Sequence, residues 1–86
     1  MSELKDQADL MTVRAKTART GLKSINSQMA AQGLGLRSDV LDAESRMNFF
    51  LDKAQRDISS GDAVSAEHDL QMAGYAADYI EKFLGH

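Results

Sequence analysis

Between Leu4 and Met29 the chain reads LKDQADLMTVRAKTARTGLKSINSQM, and its apolar line falls at Leu4, Ala8, Met11, Ala15, Ala18, Leu22, Ile25 and Met29. The steps alternate between four and three. That is a period of about 3.5 residues, which gathers all of these side chains on one seam of an α-helix. Ser2 suits the N-cap, with Glu3 and Asp6 near the positive end of the helix dipole. Gly33 suits the left-handed residue that closes a helix. Gly21 falls inside the pattern, where glycine costs ~1 kcal/mol relative to alanine. It marks a kink, a close helix contact, or a tolerated glycine in a long helix.

Working outward, the same pattern returns twice. Leu36, Val40, Ala43, Met47, Phe50 and Ala54 form a second seam, with Leu41, Leu51 and Ile58 on a line beside it. Ser38 or Asp39 can cap its start, and Gly61 closes it. Ala63, Ala66, Leu70, Ala73, Ala77, Ile80 and Leu84 form the third seam, with Asp62 as N-cap and Gly85 as the stop. The spacing predicts helices over about 3–32, 37–60 and 62–84. Short connections make neighbouring helices antiparallel. The expected fold is therefore all-α: a single domain forming an antiparallel, left-handed three-helix bundle with coiled-coil-like heptad packing at about 20°. The first helix, at roughly 45 Å against ~33 Å for the others, must overhang its partners or bend at Gly21.

The composition agrees. The chain has 86 residues, no proline and no cysteine, 43% hydrophobic and 27% charged residues, and a formal net charge of −3. One small domain is all this length allows. The lack of cysteine excludes a disulfide framework and a thiolate zinc site. No stretch approaches the ~20 apolar residues of a membrane span. The opening Met1-Ser2-Glu3-Leu4-Lys5-Asp6 lacks the apolar run of a secretory signal, which points to the cytoplasm. At this size only ~60% of the unfolded chain's surface leaves water on folding. A seam rich in alanine buries still less, so self-association would help a marginal monomer.

No pattern carries chemistry. His68 is flanked by Glu67 and Asp69, but consecutive helical residues diverge. Neither HExxH nor Glu-x-x-His occurs, Gly33-Leu34-Gly35 is too short for a phosphate loop, and no nucleophile-elbow sequence is present. Asp39 and Asp42 sit in the first turn of a helix, where the dipole accounts for them. The chain is expected to be no enzyme and to hold no cofactor or metal.

Charge is segregated. Residues 10–38 carry Arg14, Lys16, Arg19, Lys23 and Arg37 with no acid, whereas residues 39–86 carry ten acids and four bases. The basic run is expected to pair with the acidic second and third helices of the same bundle. An anion-binding module built on Arg14, Lys16, Arg19 and Lys23 is the alternative; helix 1 lacks the aromatics that stack on bases, which argues against nucleic acid. On helix 3 a second stripe, His68, Met72, Tyr75, Tyr79 and Lys82, runs beside the seam, and Phe49, Leu10 and Val13 also lie off it. This leaves more apolar surface than three helices bury, unless the bundle is rotated so as to bury Met72 or Tyr79 itself. The expected function is a non-enzymatic helical interaction or scaffold module that binds a protein partner or itself through Phe49, Met72, Tyr75 and Tyr79.

Phe50 and Ala54, the turn Gly61-Asp62, and Ala66, Leu70 and Ala73 together resemble a tetratricopeptide-type repeat over roughly residues 50–76. Lys53 and Asp57 stand where that family has large apolar residues, Asp78 stands where it usually has proline, and there is no second copy of the repeat. The resemblance implies a peptide-binding helical hairpin.

Overall fold

The computed structural model describes residues 2–85. They form α1 (Ser2–Ala31), α2 (Ser38–Ser60) and α3 (Ala63–Leu84), with no strand among the described residues. The fold is an all-α three-helix bundle. Arg19 of α1 meets Asn48 of α2 and Thr12 meets Gln55, so these helices run antiparallel. Asp39 of α2 meets Tyr79 of α3 and Lys53 meets Asp69, so these do too. The order is up, down, up.

The three seams meet in the middle. Ala8, Met11, Ala15, Ala18 and Leu22 are buried from α1, Val40, Ala43, Met47, Leu51 and Ala54 from α2, and Ala66, Leu70, Ala73, Ala77 and Ile80 from α3. Leu22, Met47, Ile80 and Val40 are the largest fully enclosed side chains. Most of the other buried positions are alanine, which puts only a methyl group between facing backbones. Two seam assignments fail. Leu41 turns outward and is exposed, because the apolar sector of α2 is centred on Met47 and Ala54 and Leu41 falls outside it. Ala63 is exposed because it is the first residue of α3, beyond the reach of its neighbours.

The helix ends follow from backbone hydrogen bonds. At the end of α1 the Leu34 N–H bonds the Met29 carbonyl at 2.8 Å and the Gly33 N–H bonds that of Ala30 at 3.0 Å, with Gly33 at φ +77°. This doubly bonded closure needs a left-handed residue, which glycine supplies without strain. Gly61 closes α2 in the same way, and Asp62 then caps α3 by accepting from the Ser65 N–H at 3.1 Å. The start of α2 differs from expectation. Its N-cap is Arg37, which makes no side-chain cap bond, while Ser38 and Asp39 lie inside the helix. The Asp39 carboxylate is drawn away from the helix end by Arg37 and Tyr79. Ser2 likewise lies inside α1 rather than capping it.

α1 is one continuous helix through Gly21. A Cβ on Gly21 would stand 2.8 Å from Cδ1 of Leu84, the last residue of α3. Gly21 is therefore a close-contact position, and α1 runs on past the end of α3. There Ile25 and Met29 are only half-buried and Ala30 and Ala31 are exposed.

Candidate interaction face between α2 and α3

α2 and α3 lie tightly together, but their outward edges diverge into a groove of about 270 Å³. Ala43 and Phe50 of α2 and Met72 and Ala76 of α3 line it, with Tyr75 and Tyr79 along one wall and Asp39, Asp42 and Arg46 along the other. Three of the four expected contact residues are thus brought together. The fourth, Phe49, stands beside the groove with its ring edge-on to Phe50, centroids 5.2 Å apart. Phe49 is 56% exposed, Tyr75 58% and Tyr79 45%, while Met72 is half-buried. The bundle is not rotated so as to enclose Tyr79. His68 and Lys82 of the same stripe are exposed and do not line the groove.

One end of the groove is pinned. The Tyr79 hydroxyl donates to Asp39 Oδ2, and Arg37 donates to both Asp39 oxygens at 3.1 Å. The Arg37 guanidinium also lies over the Phe83 ring, 5.3 Å from its centroid. The Tyr79 hydrogen bond, aided by Arg37, holds the Asp39 carboxyl below its usual range, and the same bond pushes the Tyr79 phenol up. Tyr79 is therefore a fixed part of the wall, while Tyr75 is held only by Gln71 at 2.8 Å on its own helix.

Beyond the other end lies a charged cluster that sequence reasoning missed. Asp69 is only 2% exposed, and Lys53 Nζ reaches its Oδ2 at 2.8 Å. Asp57 lies beside them, 3.7 Å from Lys53, with its Oδ2 enclosed and lacking a hydrogen-bond partner among the described residues. A proton on Asp57 turns the facing carboxylates into an O–H···O bond to Asp69, and that bond together with burial pushes the Asp57 carboxyl up. Burial alone would raise Asp69, but hydrogen bonds from Asp57 and Lys53 outweigh it and hold Asp69 below its usual range. The sequence did contain a signal: Lys53 and Asp69 are equidistant from Gly61, so an antiparallel hairpin turning there sets them opposite each other.

Among the described residues the basic run meets acids at two of its members. Arg14 holds Asp78 at 2.8 Å and Glu81 at 2.9 Å, which occupies its guanidinium, and Arg37 holds Asp39. Arg19 bonds the neutral Asn48 at 2.8 Å. Lys16 and Lys23 make no ion pair among the described residues. No group of three or more potential metal ligands comes together among the described residues, and no described helix is long and apolar enough to cross a membrane. No protein-family model, curated protein or solved structure matches the chain.

Proposed function

We propose that the chain is a non-enzymatic helical interaction module that associates with a second copy of itself through the α2/α3 face. The observation that carries this reading is the pair Tyr75 and Tyr79, each about half exposed along one wall of an apolar-floored groove, with the equally exposed Phe49 edge-on to the groove residue Phe50. Burying the exposed parts of these rings on two copies removes roughly 600 Å² from water, a gross gain of about 15 kcal/mol. Association itself costs about 4–15 kcal/mol. The contact is therefore weak and concentration-dependent, and Asp39, Asp42 and Arg46 on the rim orient it. Changing Tyr75→Ser and Tyr79→Ser together weakens association and leaves helicity intact. Sedimentation of the double variant unchanged from wild type would count against the assignment.

A further inference from the structure

α1 and α3 run in the same direction, and an open groove of about 490 Å³ lies between them. Its floor is apolar. Met11 and Leu70 are buried there, and Leu10 stands over them 68% exposed. Gly74 leaves a notch in the α3 wall. Glycine inside a helix costs about 1 kcal/mol relative to alanine. Nothing within the fold demands it here: a Cβ on Gly74 would meet only Arg14 Nη1, at 3.9 Å, an ordinary contact. Gly21 shows the contrast, since a Cβ there would stand 2.8 Å from Leu84. The notch therefore leaves room for something outside the chain.

The charges along this groove are unbalanced at one end. Toward the C-terminal ends of α1 and α3, Asp78 and Glu81 share Arg14, and Lys82 lies four residues past Asp78. Toward the N-terminal ends stand the exposed Glu3, Asp6 and Glu67. No lysine or arginine lies three or four residues from any of them, and none enters an ion pair among the described residues. Asp6 and Glu67 are each the fifth residue of their helix, past the first turn in which the dipole favours an acid. The lysines of α1 are elsewhere: Lys5, Lys16 and Lys23 share a stripe with Thr12 and Arg19, which meet α2. Both walls are helices whose backbone groups are engaged in their own ladders, so no extended strand can be added; a helix, which satisfies its own backbone, can lie between them. We propose that the α1/α3 groove docks a basic amphipathic helix of a partner protein, with apolar residues on Leu10, Met11 and Leu70 at the Gly74 notch and lysines or arginines toward Glu3, Asp6 and Glu67.

The test titrates the isotope-labelled full chain, followed by NMR, with a synthetic peptide of about 18 residues, long enough to hold a helix. The peptide carries leucine along one stripe and lysine beside it; a second peptide carries glutamate in place of lysine. The lysine peptide shifts the amide resonances of Leu10, Met11, Leu70 and Gly74, and the glutamate peptide does not. Gly74→Leu fills the notch and removes binding, with circular dichroism to confirm helicity, and Leu10→Ser, at an exposed position, weakens it severalfold. Glu3→Gln/Asp6→Asn/Glu67→Gln together weaken it about tenfold, and salt weakens it in the unmodified chain. Glu44→Gln/Asp52→Asn, which removes acids of α2, leaves it unchanged. Tyr75→Ser/Tyr79→Ser binds the peptide as the unmodified chain does, whether or not those changes affect self-association, so this groove and the α2/α3 reading stand or fall separately. No binding of the lysine peptide, equal binding of the glutamate peptide, shifts confined to the Tyr75 and Tyr79 groove, or Gly74→Leu and Leu10→Ser chains that bind like the unmodified one would overturn the proposal. So would shifts of Leu10 and Gly74 on concentrating the chain alone, which would make a second copy the occupant.

Discussion

Ile80→Ala tests whether the alanine seams enclose a true core. Ile80 is fully buried, at 0% exposure, on the side of α3 that faces both other helices. The substitution removes three carbon atoms, worth ~0.8 kcal/mol each in lost transfer energy, or about 2.4 kcal/mol. A cavity that fails to collapse adds up to about 2 kcal/mol, at ~24 cal/mol per Å³ over roughly 80 Å³. The expected loss is about 2.5–4.5 kcal/mol, near the usual range for such changes. A chain of 86 residues has a total stability of only about 4–13 kcal/mol. At about 4–8 °C per kcal/mol, the melting temperature should fall by about 10–35 °C. Far-UV circular dichroism measures it, with the exposed Leu41→Ala as a comparison expected to change stability by less than ~0.5 kcal/mol. A fall below about 5 °C for Ile80→Ala would refute the reasoning. It would mean that α3 does not present this side to α1 and α2.

Two further outcomes follow from particular contacts. Asp57→Asn should stabilise the fold at neutral pH, because it removes a carboxylate that faces Asp69 with an enclosed, unpartnered oxygen. The folded-state value of Asp57 lies above its unfolded value, so wild type regains stability as pH falls through that raised value. The gap between the melting curves should therefore close on acidification, and a gap that widens would contradict the assignment. Asp69 has the opposite sign: its depressed value means that its contribution is present above the ordinary carboxylate range and lost as pH falls through the folded value. Gly21→Ala should gain little alone, since the new methyl displaces Leu84, but about 1 kcal/mol in a Leu84→Ala background. Equal effects in both backgrounds, measured by urea unfolding, would show that Gly21 and Leu84 are uncoupled.

The parts of the fold that were legible rest on periodic burial and on glycine. A helix needs an apolar seam to dock, so Ala15, Leu22, Met47, Ala73 and Ile80 announced themselves by spacing alone. Gly33, Gly61 and Gly85 announced the helix ends because each closure demands positive φ. Less legible were positions decided by a neighbour from another helix. Asp39 looked like a cap until Tyr79 and Arg37 claimed its carboxylate. Asp69 stood out in the sequence only as a neighbour of His68, yet Ala66, Asp69, Ala73, Ala76 and Ile80 form a second buried line on α3, steps three and four, with Asp69 its one charged member. Its burial depends on Lys53 from α2, a partner that no pattern within α3 reveals. Of the candidate face, the α3 stripe was readable as a face, but the groove was not, because it depends on how Ala43 and Phe50 of α2 sit against Met72 and Ala76.

The most direct test is the solution mass of the unmodified chain by light scattering across a wide concentration range. Exposed rings that seek a matching surface predict a mass climbing from the 9.4 kDa monomer to a dimer. A mass fixed at the monomer value up to the highest concentration would contradict the account.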